Sequence, residues 1–126
     1  MFPFSVASNP VDLETLFERA RKSASNKDWP QAYQRLKRLT AIEPDHSEAQ
    51  YLLGVAALKV KRFSCAVRAF RRRLSQNASD ATAWYYLGMA YYRVGLAEKA
   101  VRCCDNAIRL DPELRRAWSL KANAMM

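Results

Sequence analysis

Apolar residues recur at every third or fourth position along most of the chain, as in Leu13, Leu16, Phe17 and Ala20. This spacing is typical of amphipathic α-helices with one buried face. The sequence contains only three Gly and five Pro, so few residues interrupt these segments. The pattern predicts helices at 13–26, 29–42, 47–60, 63–77, 81–94, 97–110 and 115–125.

Residues at the predicted helix ends fit this segmentation. Asp12, Ser47 and Asp80 stand just before or at the start of predicted helices, where a short oxygen-bearing side chain can accept a hydrogen bond from a free backbone N–H. We therefore expect all three to act as N-caps. Pro44 and Pro112 follow predicted helices and are expected to end them.

A period of 34 residues relates the helices to one another. At this period two columns contain only small residues, namely Ala20, Gly54, Gly88 and Ala122, and Ala32, Ala66 and Ala100. A further column holds Leu16, Gln50, Trp84 and Trp118. Small side chains allow paired helices to approach closely. The period predicts a flexible segment at 1–12, repeat units at 13–46, 47–80 and 81–114, and a capping helix or partial repeat at 115–126.

The third unit resembles the tetratricopeptide repeat signature at its full spacing, through Trp84, Leu87, Gly88, Tyr91, Ala100, Cys104 and Pro112. The first two units keep the small columns but lack the Trp. The resemblance implies an all-α fold, a right-handed α-solenoid of three helix pairs plus a C-terminal capping helix. It also implies a protein-binding adaptor, scaffold or chaperone and not an enzyme.

One position departs from the regular interior pattern. Arg73 falls in the column of Leu39 and Ala107, an interior position, so we expect its stem to run to the surface or its helix to shift. In the last helix we expect Trp118 and Ala122 to face inward.

The resemblance implies that the first helix of each pair lines a concave face. Carried over by column, it gives a candidate partner-binding groove of Tyr51, Leu52, Val55, Leu58, Tyr85, Tyr86, Met89 and Tyr92. Leu52, Val55 and Leu58 are equally compatible with a core position. The tyrosines exceed what one buried stripe needs, which favours an exposed surface for an apolar peptide or helix of another protein.

Some relatives use a clamp of Lys, Asn and Arg to hold the acidic C-terminus of heat-shock chaperones. The matching positions here hold Phe17, Arg21, Leu52, Thr82 and Tyr86. Only one of them is basic, so we do not expect that activity.

Self-assembly is an alternative function. Phe2, Phe4 and Val6 precede the first repeat and could fill the groove of the same or another copy. The terminal helix is a second candidate contact between copies.

A basic convex face is a third candidate. The formal net charge is +9, and the stretch 49–79 contains no acidic residue. The predicted basic patch consists of Arg35, Lys37, Arg38, Arg68, Arg71 and Arg72. The first interpretation of this patch is an ordinary solvated charged face. The alternative is a binding surface for RNA or an anionic membrane. No aromatic residues interleave with the arginine cluster as stacking platforms, which counts against specific RNA recognition.

Catalytic, cofactor and metal sites are not indicated. No nucleophile has a plausible base, no Gly lies in a phosphate-binding loop, and His46 is the only histidine, in a boundary turn with no assigned role. We therefore expect no small-molecule substrate, cofactor or metal. The odd set of Cys65, Cys103 and Cys104 favours a reducing, cytoplasmic location, with Cys104 packed inside and Cys103 exposed. No apolar run is long enough to span a bilayer.

Overall fold

The computed structural model describes residues 12–126, which form seven α-helices and no strand. The helices are α1 Leu13–Ser25, α2 Trp29–Ile42, α3 Ser47–Lys59, α4 Phe63–Gln76, α5 Ala81–Arg93, α6 Ala97–Leu110 and α7 Arg115–Ala124. All the helices predicted from the sequence are confirmed, with ends that differ by no more than one residue. None of the helices in this range combines the length and hydropathy that a membrane crossing needs. The predicted contact of Phe2, Phe4 and Val6 with the groove lies outside the described residues.

The helices pack in pairs, and the pairs stack. Contact is most extensive between α1 and α2, α3 and α4, and α5 and α6. Successive first helices also touch directly, α1 with α3, α3 with α5 and α5 with α7, and no comparable contact joins successive second helices within residues 12–126. The first helices therefore lie on the inside of a curve, and the second helices lie outside and splay apart. This arrangement is an α-solenoid, with a concave and a convex face.

Helix capping follows the prediction at two of three sites. The side chains of Asp12 and Asp80 each accept a hydrogen bond from the backbone N–H three residues on, at 3.1 and 3.0 Å. The prediction for Ser47 is wrong, because α3 is capped by His46, whose Nδ1 accepts the equivalent bond at 3.2 Å. Ser47 is the first helical residue, and its hydroxyl accepts a bond from Arg73 instead. His46, for which no role was predicted, thus caps the start of a helix.

One side-chain hydrogen bond recurs at each described repeat boundary. Gln50, Trp84 and Trp118 each donate a side-chain N–H to the backbone carbonyl six residues earlier, at 2.8, 2.8 and 2.9 Å. The shared column of Gln and Trp is therefore a column of N–H donors. Leu16, in the same column of the first unit, has no such donor.

Gly54, in the first small-residue column, lies at a very close approach of two helices. A Cβ atom at this position would lie 2.5 Å from the ring of Phe70, which is fully buried beneath α3. At Gly88 the nearest atoms to such a Cβ would be Ala100 O and Cys103 Cβ, both at 3.2 Å. The close approach is thus tightest in the second pair, where the large ring of Phe70 passes directly under the glycine.

The orientation predicted for the last helix is wrong. Trp118 is 49% exposed and Ala122 is also exposed, while Ala117 and Leu120 face the core. Trp84, one period earlier, is half-buried between two second helices, whereas within the described residues no second helix follows α7. Trp118 keeps its hydrogen bond to the boundary but is more exposed than Trp84.

Two of the three cysteines, Cys103 and Cys104, lie inside the fold, and Cys65 is half-buried. Cys103 is buried, contrary to prediction, because it occupies the column of the buried Ala69, and Cys104 is fully buried as predicted. Burial, and then the neighbouring Cys104, raises the pKa of the Cys103 thiol to about 12. Burial also raises the pKa of Cys104 to about 11. Both thiols therefore stay protonated at neutral pH, which makes them poor nucleophiles.

We expect Gly54→Ala to lower the free energy of unfolding by about 1–3 kcal/mol, because the buried ring of Phe70 cannot move away from the new methyl group. Gly88→Ala is the matched control. It needs only a small shift of its neighbours and gains helix propensity, so its effect should stay below about 1 kcal/mol. Urea unfolding followed by circular dichroism measures both values. Equal losses at the two sites would contradict this explanation, and Phe70→Leu should partly rescue Gly54→Ala.

Candidate protein-binding groove

Most of the predicted groove residues lie at the boundary between core and solvent. Six of them are half-buried, namely Tyr51, Leu52, Val55, Leu58, Tyr86 and Met89. Tyr92, near the end of α5, is 38% exposed. Each half-buried side chain packs its base on the core and leaves an edge open. The concave face therefore presents a strip of apolar and tyrosine side chains on α3 and α5.

Tyr85 is different, and the expectation that it adds exposed apolar surface is wrong. Only 7% of it is exposed, and it packs in a core cluster with Cys104, Ala117 and Leu120. It lies there because α7 folds back onto α5 and covers this side of the helix.

A cluster of aromatic rings forms the base of the groove. Phe70 and Tyr86 stack with ring centroids 5.5 Å apart and planes tilted by 16°. Tyr51 meets both rings edge-on, at 5.9 Å from Phe70 and 6.1 Å from Tyr86. Tyr85 lies 5.2 Å from Tyr86. We call Tyr51, Phe70, Tyr85 and Tyr86 the aromatic floor. Phe70 comes from an outer helix and reaches this cluster only because Gly54 lets it pass beneath α3.

Two arginines lie over the aromatic floor. The guanidinium carbon of Arg116 is 5.1 Å from the ring centroid of Tyr85 and 5.9 Å from that of Tyr86. The guanidinium carbon of Arg73 is 5.5 Å from that of Tyr51. Cations over ring faces are attracted by the ring quadrupole. Arg116 was not among the predicted groove residues, and it gives the C-terminal end of the groove a positive charge.

The surroundings of Tyr51 disfavour its ionisation. Burial is the main cause, followed by the nearby Tyr86 and Asp80, and together they raise the pKa of Tyr51 to about 12. Tyr51 is therefore a neutral hydroxyl at physiological pH, available as a hydrogen-bond donor or acceptor at the groove surface.

Arg73 does not occupy the interior position that its column suggested. Its guanidinium donates to Asp80 Oδ2 at 3.0 Å and to Ser47 Oγ at 2.9 Å. The side chains of Arg73 and Asp80 are only 19% and 15% exposed. Because Asp80 also caps α5, this group ties together α3, α4 and α5 beside the aromatic floor. The charged end of Arg73 therefore has a specific partner and is largely shielded from solvent.

The predicted basic patch is divided among several places. Lys37, Arg68 and Arg72 line a cleft between α2 and α4 on the convex face. Arg71 lines the next cleft, between α4 and α6. Arg35 instead turns back to α1, where it donates to the carbonyl of Arg19 at 3.3 Å and to Ser23 Oγ at 3.1 Å. Arg38 is exposed and lines neither cleft.

Two aromatic rings lie beside one arginine of the predicted basic patch. Trp84 and Tyr91 from α5 line the same cleft as Arg71. This proximity is not evident from the sequence, because Arg71 belongs to the second unit and the two rings belong to the third. The rings reach the convex face between the outer helices α4 and α6.

Comparison with known proteins decides the family. Two family models described as tetratricopeptide repeat match the chain, one at residues 81–114 and the other at residues 17–64. The chain belongs to the tetratricopeptide repeat family. Its fold is that of a protein-interaction scaffold, and the described part acts as a protein–protein interaction module. The first match has the same bounds as the third unit predicted from the period.

A curated relative and solved structures agree with this assignment. The heat shock protein sti1 homolog of Schizosaccharomyces pombe is 26% identical over 124 residues, which cover 90% of this chain and 21% of that protein. The chain thus spans about a fifth of that relative. The crystal structure of MamA is 26% identical with a TM-score of 0.86, covering 94% of this chain and 70% of that one. These repeats form right-handed α-solenoids, as the resemblance implied.

Another tetratricopeptide structure shows a bound peptide. The first repeat domain of Spaghetti (RPAP3), bound to the HSP90 peptide SRMEEVD, superposes with a TM-score of 0.81 at 17% identity and covers 90% of both chains. At this identity the likeness concerns the fold. In the present chain the clamp positions include the buried Phe17, and Arg21, the only cation there, is paired with Glu18 at 3.3 Å.

We expect Arg73→Ala to lower the free energy of unfolding by about 1–3 kcal/mol, because it leaves the poorly exposed Asp80 without its charged partner. Arg72→Ala is the control. Its ion pair with Asp45, at 2.9 Å, is solvent-exposed, so its loss should cost less than about 1 kcal/mol. Denaturant midpoints of the two variants and the wild type test this difference. A loss at Arg72 as large as that at Arg73 would show that the linking role of Arg73 is wrong.

Proposed function

We propose that the concave groove holds an apolar segment of a partner protein, as an extended peptide or a helix. The observation that carries the proposal is the strip of half-buried aliphatic and tyrosine side chains on the consecutive first helices α3 and α5. Apolar groups exposed in a continuous strip on one face are typical of protein interaction surfaces. The partner would complete the packing of these side chains.

The chemistry of the strip favours a protein ligand. Tyr51 and Tyr86 can bury ring area while their hydroxyls remain hydrogen-bonded, and they lose little conformational entropy on binding. Leu58, Met89 and Tyr92 extend the apolar surface along the groove. Arg116, over the aromatic floor, would meet a carboxylate or carbonyl at one end of the partner segment.

We infer that this protein works by binding and not by catalysis. The scaffold fold supports this inference, and so do the protonated Cys103 and Cys104 thiols, which are poor nucleophiles. The three unpaired cysteines support a reducing compartment such as the cytoplasm. The helix pairs support repeat units at 13–46, 47–80 and 81–114.

The proposal can be tested by selecting peptides that bind this protein from a phage-display library. We expect the selected peptides to carry Leu, Phe or Met at helical or alternate spacing. The combined variant Leu58→Gln with Tyr92→Gln removes groove surface and should weaken the selected peptides by about tenfold or more in fluorescence anisotropy. These positions are preferable to Tyr86, whose ring stacks on the buried Phe70 and supports the fold.

Ile42→Gln is the matched control, since Ile42 is 54% exposed and lies at the end of the outer helix α2. It should change the affinity by less than about twofold. Peptides that bind the groove variant as tightly as the wild type would exclude the groove as their site.

Self-association through α7 is a second candidate function. Trp118 and Met125 expose large apolar side chains at this end of the solenoid. A second copy of the chain could cover Trp118 in the way that α6 covers Trp84 one period earlier. The predicted contribution of residues 1–12 to such an assembly falls almost wholly outside the described residues.

We expect Trp118→Gln to abolish association through α7 and to keep the fold intact. Gln is chosen because Gln50, in the same column, makes the same hydrogen bond to its boundary carbonyl. Light scattering over a wide concentration range should show a larger mass for the wild type than for this variant, with Ile42→Gln behaving as the wild type. A wild type that stays monomeric throughout would rule this candidate out.

A further inference from the structure

The convex face carries two clefts that repeat with the period of the chain. The first outer cleft, between α2 and α4, includes Lys37, Gln50, Leu53 and Arg68 and has a volume of about 330 Å³. The second outer cleft lies between α4 and α6 and has a volume of about 460 Å³. Its corresponding residues are Arg71, Trp84, Leu87 and Arg102. The clefts exist because the second helices splay apart over the closely packed first helices.

The second outer cleft has an apolar base. Trp84, Leu87 and Tyr91 of α5 form it, between α4 and α6. In the first outer cleft Gln50 stands in the position of Trp84. The second cleft is therefore both the larger and the more apolar of the two.

Cations surround this apolar base. Arg71 comes from α4, and Lys99 and Arg102 come from α6. All three are exposed, and none takes part in an ion pair with another residue of the range 12–126. The Lys99 Nζ lies 5.5 Å from the ring centroid of Tyr91.

The two clefts also differ in how far their charges are compensated. No carboxylate lines either cleft among the described residues. In the first outer cleft, however, Arg72 is paired with Asp45 at 2.9 Å. The second outer cleft thus combines uncompensated positive charge with an apolar base.

We propose that the second outer cleft is a docking site for an acidic peptide segment that carries one large apolar side chain. The apolar side chain enters between α4 and α6 onto Trp84 and Tyr91. Flanking carboxylates of the segment then lie beside Arg71, Lys99 and Arg102, where charge-assisted hydrogen bonds form. The net charge of +9 favours approach of such an acidic segment over long range.

The position of Trp84 favours a peptide over a nucleic acid. Its indole N–H already donates to the carbonyl of Ala78 at 2.8 Å, and its ring is half-buried between helices. A base stacks on a broadly exposed ring face, whereas Trp84 and Tyr91 are both half-buried at the base of a cleft. A branched or aromatic amino-acid side chain fills a recess of this kind more readily.

This site is independent of the proposed groove. The groove lies on the first helices, and the cleft opens between second helices on the opposite face. A groove ligand and an acidic segment can therefore bind at the same time, and variants of one face leave the other intact.

Fluorescence anisotropy with a labelled, short Asp/Glu-rich peptide that contains one central Leu tests the proposal on the full chain. We expect Arg71→Glu and Arg102→Glu each to raise its dissociation constant by about tenfold or more. Replacing the central Leu of the peptide by Ala should weaken binding by about tenfold, because an apolar contact is lost.

Arg38→Glu is the charge-matched control. It changes the net charge by the same amount at an exposed position outside both clefts, and it should alter the dissociation constant by less than about twofold. Tyr92→Gln, in the groove, should have no effect. Circular dichroism confirms that each variant is folded.

Other outcomes would overturn the proposal. An equal loss in Arg38→Glu would show a diffuse charge effect, and no dependence on the central Leu would remove the role of the apolar base. A length-matched oligouridine that binds more tightly than the peptide, and loses affinity in Arg71→Glu, would assign the cleft to nucleic acid. If the peptide does not bind even at low salt, the cleft is not a docking site for an acidic segment.

Discussion

The passage of the Phe70 ring beneath Gly54 is the contact on which the rest of this structure depends. A methyl group at Gly54 would lie 2.5 Å from that ring, so the second pair has no room for any larger residue. Because α3 and α4 approach so closely, a side chain of the outer helix reaches the inner face and stacks on Tyr86. Phe70 is therefore part of both the core of the second pair and the aromatic floor of the groove.

The same packing creates the convex surface. Close contact between successive first helices on the inside leaves the second helices apart on the outside. The gaps between them become clefts, and the residues at their base come from the first helices, as Trp84 and Tyr91 do. The concave strip and the convex clefts thus have one geometric origin, although their side chains give them different chemistry.

The sequence was sufficient to predict the helices to within a residue, because their periodicity and end signals are local. The period also selected Tyr51 and Tyr86 as surface positions on the first helices, and both keep part of the side chain exposed. The sequence-based prediction failed where the exposure of a side chain depends on a helix that packs against it, because the local sequence pattern does not reveal that contact. Tyr85 is buried because α7 covers it, and Trp118 is exposed because no second helix follows it in the described residues.

The polar contacts were harder to predict for the same reason. Arg73 meets Asp80 and Ser47 across three helices, and Arg116 reaches the tyrosines of α5 from α7. In both cases the partners are distant in sequence, and only the helix packing brings them together. The cap at His46 is local, but an imidazole is a rarer N-cap acceptor than a serine hydroxyl, so the sequence favoured Ser47.

The hydrogen bond at each repeat boundary has a consequence for how such a chain changes over evolutionary time. Its donor is a side chain, Gln50, Trp84 or Trp118, but its acceptor is a backbone carbonyl, which every amino acid possesses. The boundary residue can therefore drift from Pro44 to Ala78 without loss of the bond. The bond thus constrains only the donor column, and in this chain both Gln and Trp satisfy it.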